Sequence, residues 1–317
     1  MTTVSASLAG GRIRRLTPVL LPLLILVMLV GLVFVLRPNT MSYMGLNLLL
    51  KLSVPLIFAA LSQMLIISQG DLDLSTGAYV GFVTCISAVY LADQPMLGWS
   101  ILIGSVLLYG LVGLVTWLRR LPSIVVTLGM SFVWLGLALF ILPSPGGQAP
   151  DWLVALPRLR PAVMPFPIWT AIVCVIVLEF GLMRSSAGVV LRGAGGNPQA
   201  MMRARWSVAG LRAIAYLLAG VCAVISGLLL SGLTTSGAPN IAPSYTLLSI
   251  ASVILGGGAF VGGIVSPFGA VVGAITLTLV SSVLTFLHVP SVWQIGAQGG
   301  LLILVLLLRG LLKGDDQ

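Results

Sequence analysis

Charge is what this chain has least of. Only 7% of its residues are Asp, Glu, Lys or Arg, against about 25% in a soluble globular protein. Sixteen basic and seven acidic side chains cannot wet the surface of a 317-residue chain that is 58% hydrophobic. A soluble enzyme, a nucleic-acid-binding protein and a disordered chain are excluded together. Cysteine is nearly as scarce. Cys85, Cys174 and Cys222 lie in apolar runs, an odd number with no metal-ligand spacing and no disulfide framework, and read as small buried hydrophobes. The single histidine, His288, falls at an outer helix end beside Pro290 and reads as a wetted terminus rather than a base. No Ser/His/Asp set, no His-Glu-x-x-His and no ladder of carboxylates runs through the apolar segments, where a proton-coupled pump carries buried ionisable groups. Catalytic residues, a metal and a cofactor are therefore not expected.

What the sequence has instead is long apolar runs. A bilayer core needs about 20 apolar residues in helix. Runs that meet this lie near 18–36, 49–68, 74–91, 97–118, 122–142, 164–183, 213–232, 246–264, 268–287 and 291–309. They are continuous rather than alternating, which favours helices over a barrel. The expectation is an all-α polytopic membrane protein of about ten transmembrane helices, one transmembrane domain over 1–317. Arg12, Arg14 and Arg15 precede a first run too long for a cleaved signal. With the N-terminus inside, Arg12, Arg14, Arg15, Arg119, Arg120, Arg184, Arg192, Arg203, Arg205, Arg212, Arg309 and Lys313 fall on the cytoplasmic side. Arg37, Lys51, Arg158 and Arg160 fall outside. This bias places both termini in the cytoplasm, and the net charge of +9 reports topology rather than a nucleic-acid partner.

Two long connections stand out. The external one, 143–163, is Pro-rich. The cytoplasmic one, 184–212, holds five of the basic residues and is longer than the two to eight residues usual between packed helices. It reads either as a topology signal or as a docking element. Within it, Asn197-Pro198 is a helix start, an N-cap followed by Pro at the first helical position. The short helix after it should end near Trp206, with Arg203 and Arg205 about 200° apart. Glu179 and Arg184 form an interfacial pair.

Three further stretches carry polar or glycine signals. In Ser68-Gln69-Gly70-Asp71-Leu72-Asp73-Leu74-Ser75-Thr76-Gly77, two aspartates sit in apolar surroundings, which is costly. Asp73 or Ser75 can cap the helix that follows. Alternatively Gln69, Asp71, Asp73 and Ser75 line or gate a path. Leu255-Gly256-Gly257-Gly258-Ala259-Phe260-Val261-Gly262-Gly263 lacks the Lys of a phosphate loop and reads as a helix break or a very close packing site. Gly77-Ala78-Tyr79-Val80-Gly81 and Gly269-Ala270-Val271-Val272-Gly273, each preceded by a serine (Ser75, Ser266), share one pattern. It is either an internal repeat or a device for close helix packing.

Taken together, these residues resemble the sugar-type permeases of bacterial ATP-binding-cassette importers, the branched-chain and monosaccharide permease family. Gly70–Gly77 is similar to its Gly-(Ile/Leu)-Asp-Leu-Ser-x-Gly segment, and Gly195–Ala200 to its Gly-x-Asn-x-x-Ala cytoplasmic motif. Val253-Ile254-Leu255-Gly256-Gly257, with Gly262-Gly263 and Ser266, is similar to its Val-Leu-Gly-Gly signature, and Leu121–Gly129 also matches. Met201 and Arg205-Trp206 depart from the family, where a second Ala and Gly-Ile are usual. The resemblance implies a permease of the bacterial inner membrane that forms the path for a monosaccharide or similar small polar solute. Its implied partners are a second permease copy, cytoplasmic ATP-binding subunits that hydrolyse ATP, a periplasmic solute-binding protein and the lipid bilayer. It implies ATPase coupling through Gly196, Asn197, Pro198, Ala200, Arg203 and Arg205. The competing readings are a stand-alone secondary transporter or channel and, with less in its favour, a membrane-embedded transferase.

Overall fold

The computed structural model describes residues 22–290, 293–294, 296–300, 303 and 307. The first 21 residues, with Arg12, Arg14 and Arg15, and most of the expected span 291–309 lie outside them, as do both chain ends. The described elements are α1 (Pro22–Leu36), α2 (Tyr43–Leu50), α3 (Ser53–Ile67), α4 (Thr76–Ile86, extended as a π-helix to Leu91), α5 (Pro95–Leu118), α6 (Ser123–Ile141), α7 (Asp151–Ala155), α8 (Phe166–Ile176, extended as a π-helix to Met183), α9 (Ser186–Gly196), α10 (Pro198–Arg203), α11 (Val208–Thr234), α12 (Pro243–Leu255) and α13 (Pro267–Phe286). The only β pairing among the described residues is one isolated bridge, Gly146–Gly237.

Five of these helices (α5, α6, α8 to Met183, α11 and α13) are long and apolar enough to cross a bilayer, six if α2 and α3, bent by 44°, act as one span. Among the described residues the helices of full spanning length thus number five or six, with three shorter apolar helices beside them (Pro22–Leu36, Thr76–Leu91 and Pro243–Leu255). The expected span at 246–264 ends at Leu255. At 1.5 Å per residue, the 13 residues of α12 reach about 20 Å, short of a roughly 30 Å bilayer core. The glycines explain the stop. Gly257, at φ +102°, lets Gly257 N–H bond to Ile254 O (3.1 Å) and Gly258 N–H to Val253 O (2.9 Å), the paired bonds of a Schellman C-cap.

The core is built on α3, which is buried along almost its whole length and packs against α11, α12 and α13. By contrast α6 leaves most of its surface uncovered. Both Gly-Ala-x-Val-Gly stretches serve close approach. A Cβ on Gly77 would lie 2.5 Å from Ala242 O and one on Gly81 2.3 Å from Pro239 O; on Gly269 and Gly273 it would meet Gly256 O at 1.8 Å and Ser252 O at 2.1 Å. So α4 is pressed against the irregular 235–242 segment and α13 against α12. Thr84 Oγ1 receives Ala238 N–H, which pairs part of that non-helical backbone inside protein, the condition under which a membrane tolerates it.

The two ends of the helical bundle are tied by contacts between distant segments. Arg212 stacks on Trp117 at the end of α5, 4.7 Å from ring centre to guanidinium carbon. At the other end Tyr43 donates to Pro161 O (2.7 Å), and the 143–163 connection is stitched down by Gly146–Gly237, Gln148–Ala88 and Ala149–Thr235 backbone bonds. The 184–212 connection is not a plain loop, because Ser185 caps α9 within it. Glu179 and Arg184 form their pair at 3.1 Å. Cys85 and Cys174 are buried, Cys222 partly so, and all three are free thiols.

Candidate functional site

The polar stretch after α3 folds into a tight corner. Gly70, at φ +76°, closes α3 with Gly70 N–H on Ile67 O and Asp71 N–H on Ile66 O, a second Schellman cap. The chain then doubles back through Asp71–Ser75 into α4. Ser68, Gln69, Asp73 and Ser75 are buried and Asp71 is 9% exposed, so every polar group here needs a partner.

Asp73 finds its partners as hydrogen bonds alone. Its Oδ1 accepts the Ser75 N–H and the Ser75 hydroxyl, both at 2.7 Å. Its Oδ2 accepts Thr76 Oγ1–H at 2.8 Å and the hydroxyl of Tyr109 on α5. The Gln63 amide, in the orientation that satisfies both partners, holds the Asp73 backbone: its oxygen accepts the N–H (3.1 Å) and its nitrogen donates to the carbonyl (3.2 Å). Ser75 is the N-cap residue of α4, yet its side chain caps no N–H of the helix. It donates to Asp73 instead. The N–H of Gly77, the second residue of α4, goes to Thr246 Oγ1 on α12 (3.0 Å).

Asp71, two residues away, is held by charge. Arg212 at the start of α11 donates to Asp71 Oδ2 at 2.7 Å and to Gln69 O at 3.0 Å, and Tyr216 adds its hydroxyl to the same carboxylate oxygen at 3.1 Å. Trp117 covers the guanidinium, a cation–π contact. Leu72 and Leu74 N–H groups are met by Ser123 Oγ and Thr127 Oγ1 of α6. The corner is thus tied to α3, α4, α5, α6, α11 and α12. Behind it Tyr79, Tyr109 and Trp134 pack together with centroids 4.7–6.4 Å apart.

The second candidate group lies apart on α10 and its flanks. Asn197 caps α10, its side chain accepting Ala200 N–H at 3.0 Å, with Pro198 at the first position. Gly196, Asn197, Ala200, Arg203 and Arg205 are exposed and Pro198 is partly covered. Arg203 is the last helical residue. Arg205 lies beyond it at φ +62°, where Arg205 N–H bonds Met202 O and Trp206 N–H bonds Met201 O. The expectation that both arginines ride one helix, 200° apart, is therefore corrected. Arg205 occupies the left-handed C′ position that glycine takes without strain.

Sequence reading missed Gln63, Thr76, Tyr109, Trp134 and Tyr216, and treated Arg212 as a topology charge. The available signal was hydroxyl-bearing and amide side chains inside apolar runs, which must find partners when buried.

Residues 45–306 match the family described as the permease component of branched-chain amino acid transport systems. Similar proteins include the L-arabinose ABC transporter permease protein AraH of Azospirillum brasilense, 30% identical over 268 residues that cover 81% of this chain and 78% of that protein. A probable ABC transporter permease protein of Sinorhizobium fredii is 28% identical, covering 86% of this chain and 82% of its own. The autoinducer 2 import system permease protein LsrC of Yersinia pestis is 28% identical, covering 92% and 84%. No solved structure matches the chain. The match spans most of the chain, its relatives are transporter permeases, and its apolar helices fit a multi-pass membrane protein: the chain belongs to this permease family, as a permease subunit of an ATP-binding-cassette importer.

Proposed function

We propose that the protein forms the inner-membrane path for a monosaccharide or a similar small polar solute. In this reading a periplasmic binding protein delivers the solute, a second permease copy completes the path, and cytoplasmic ATP-binding subunits supply the work. The solute class is supported by relatives that carry L-arabinose and autoinducer 2. It is also supported by the state of the two buried aspartates. Both are already occupied by the chain's own donors, which leaves no free buried carboxylate there to bind a cation. Gln69, Asp71, Asp73 and Ser75 act in this reading as a gating corner rather than as solute ligands.

The observation that carries the coupling assignment is α10 itself. It is a self-capped helix with an exposed outer surface, on which Met202 and Trp206 are half-exposed on either side of Arg203 and Arg205 in the sequence. Exposed apolar side chains set beside cations fit a protein groove better than open water. Gly196, Asn197, Pro198, Ala200, Arg203 and Arg205 form this ATPase-facing element. The test is Ala200→Glu in the assembled transporter, with membrane level, ATPase co-purification and uptake measured on one preparation. Normal level with lost co-purification and uptake is expected. Full ATPase association with unimpaired uptake removes α10 from the mechanism. Uptake into vesicles should require ATP and the binding protein; accumulation by the permease alone on an ion gradient would overturn the importer reading.

A further inference from the structure

The geometry points to a backbone relay that joins α10 to the Asp71–Asp73 corner through glycines at Gly195, Gly262 and Gly70. This inference rests on the coupling role proposed for α10. Three chain segments from distant parts of the sequence meet here with no side chain between them. The last turn of α9, one residue before the Asn197 cap, lies directly on the end of α3: a Cβ on Gly195 would fall 1.9 Å from Ser68 O and 2.7 Å from Gln69 Cα. The loop after α12 closes the third side. A Cβ on Gly262 would lie 2.6 Å from Gly195 O and 3.1 Å from Gly70 N, and Gly263 N–H donates to Ser68 O at 2.8 Å. Gly70, Gly262 and Gly263 all have positive φ, so these turns keep the space clear and supply the conformation at once.

Side-chain contacts make the junction directional. Gln69, fully buried, donates from Nε2 to Leu191 O of α9 at 3.1 Å, while its own carbonyl accepts from Arg212, which also grips Asp71. A displacement of α10 must therefore pass through the end of α9 into Ser68–Gly70. From there it reaches Asp71 and Asp73, and through them α4, α5, α6 and α11. Backbone packed on backbone has no rotamer freedom to absorb the motion. Two buried atoms of the junction, Gln69 Oε1 and Arg212 Nε, meet no hydrogen-bond partner among the described residues. Such groups are costly to leave unmet, which favours a second arrangement that pairs them.

The experiment uses the complete transporter with its ATPase subunits and loaded binding protein, and reads solute moved per ATP hydrolysed. Gly195→Ala inserts a methyl into the Ser68 contact, Gly262→Ala one into the Gly195 contact. Gln69→Met keeps the volume but deletes the Leu191 bond. Gly181→Ala, where an added Cβ meets nothing within 4 Å, is the control. We expect at least a tenfold fall in solute per ATP for Gly195→Ala and three- to tenfold for Gln69→Met. ATPase co-purification should persist, and the control should be unchanged. Should Gly195→Ala reduce the folded protein, the Gln69→Met ratio decides. An unchanged ratio in Gln69→Met at normal membrane level overturns the relay, even while Ala200→Glu still uncouples. Failure of Ala200→Glu to uncouple instead overturns the coupling role itself.

Discussion

The 68–75 corner and the 196–206 segment look alike on paper, since each sets a glycine (Gly70, Gly196) and a small polar or acidic residue at the end of a helix. They solve the problem of broken helix in opposite ways. Around α10 the bonds are local: Asn197 caps Ala200 three residues on, and the C-terminal turn closes on Met201 and Met202. In the corner they are remote. Asp73 reaches Tyr109 across 36 residues, and Asp71 reaches Arg212 and Tyr216 across 141 and 145. The first region is a surface whose shape needs little from the rest of the protein. The second exists only when six helices are in place. Substitutions that remove the corner's buried acceptors or charges should therefore cost much stability, and substitutions around α10 should cost little and act chiefly on what docks there.

The sharpest way to break that contrast is Asp73→Leu. Four donors lose their acceptor, at about 1–3 kcal/mol for each one left unmet. Together they approach the roughly 5–15 kcal/mol by which a fold is stable. Most of the folded, membrane-inserted protein should be lost, as measured by the monodisperse yield in detergent. A normal yield would show that the corner is not held through Asp73.

Arg212→Ala should follow, at about 3–5 kcal/mol, because removing one partner strands a buried charge. The double variant Asp71→Asn with Arg212→Gln should recover part of the loss, since no uncompensated charge remains. Thermal midpoints in detergent for the singles and the double check this. A double no better than Arg212→Ala would mean that the pair contributes through packing on Trp117 rather than through charge.

Asp73→Asn should be milder than Asp73→Leu. The amide oxygen can keep the Ser75 N–H, but an NH₂ now faces the Tyr109 and Thr76 hydroxyls, which must turn to accept. A cost of about 1–3 kcal/mol should appear as a lower thermal midpoint with uptake reduced severalfold. Uptake abolished at an unchanged midpoint would assign the negative charge itself a role in transport.

How much of this was legible follows the same division. Asn197-Pro198, the Glu179–Arg184 pair and the glycine break after Leu255 are local signals, and the structure places a helix start, an ion pair and a helix end at those positions. The Asp71–Arg212 pair was not legible, because an arginine beside a span reads equally well as a topology charge. Nor was the role of Ser75, whose hydroxyl is drawn to Asp73 rather than to the helix. The extent of a span was misread where glycines decide. A hydropathy run ignores that Gly257 can turn the chain, so 246–264 reads as one span although α12 stops short.

The smallest expected effect is on the α10 side, and it tests the claim that this segment is locally determined. Arg205 is held at φ +62°, a conformation that costs a residue with a Cβ about 1–2 kcal/mol. Glycine removes that cost but gives the unfolded chain more freedom, worth about 0.4–1 kcal/mol in the other direction. Arg205→Gly should therefore stabilise by only about 0.5 kcal/mol, a shift of a degree or two in thermal midpoint. The exposed guanidinium meets no partner among the described residues whose loss would offset the gain. If α10 docks an ATPase subunit through its flanking cations, the same variant should weaken co-purification while the permease itself becomes slightly more stable. Those opposite signs separate the two roles of the position. A drop in the thermal midpoint would mean that Arg205 is anchored to the body of the protein and that α10 is not the independent surface described above.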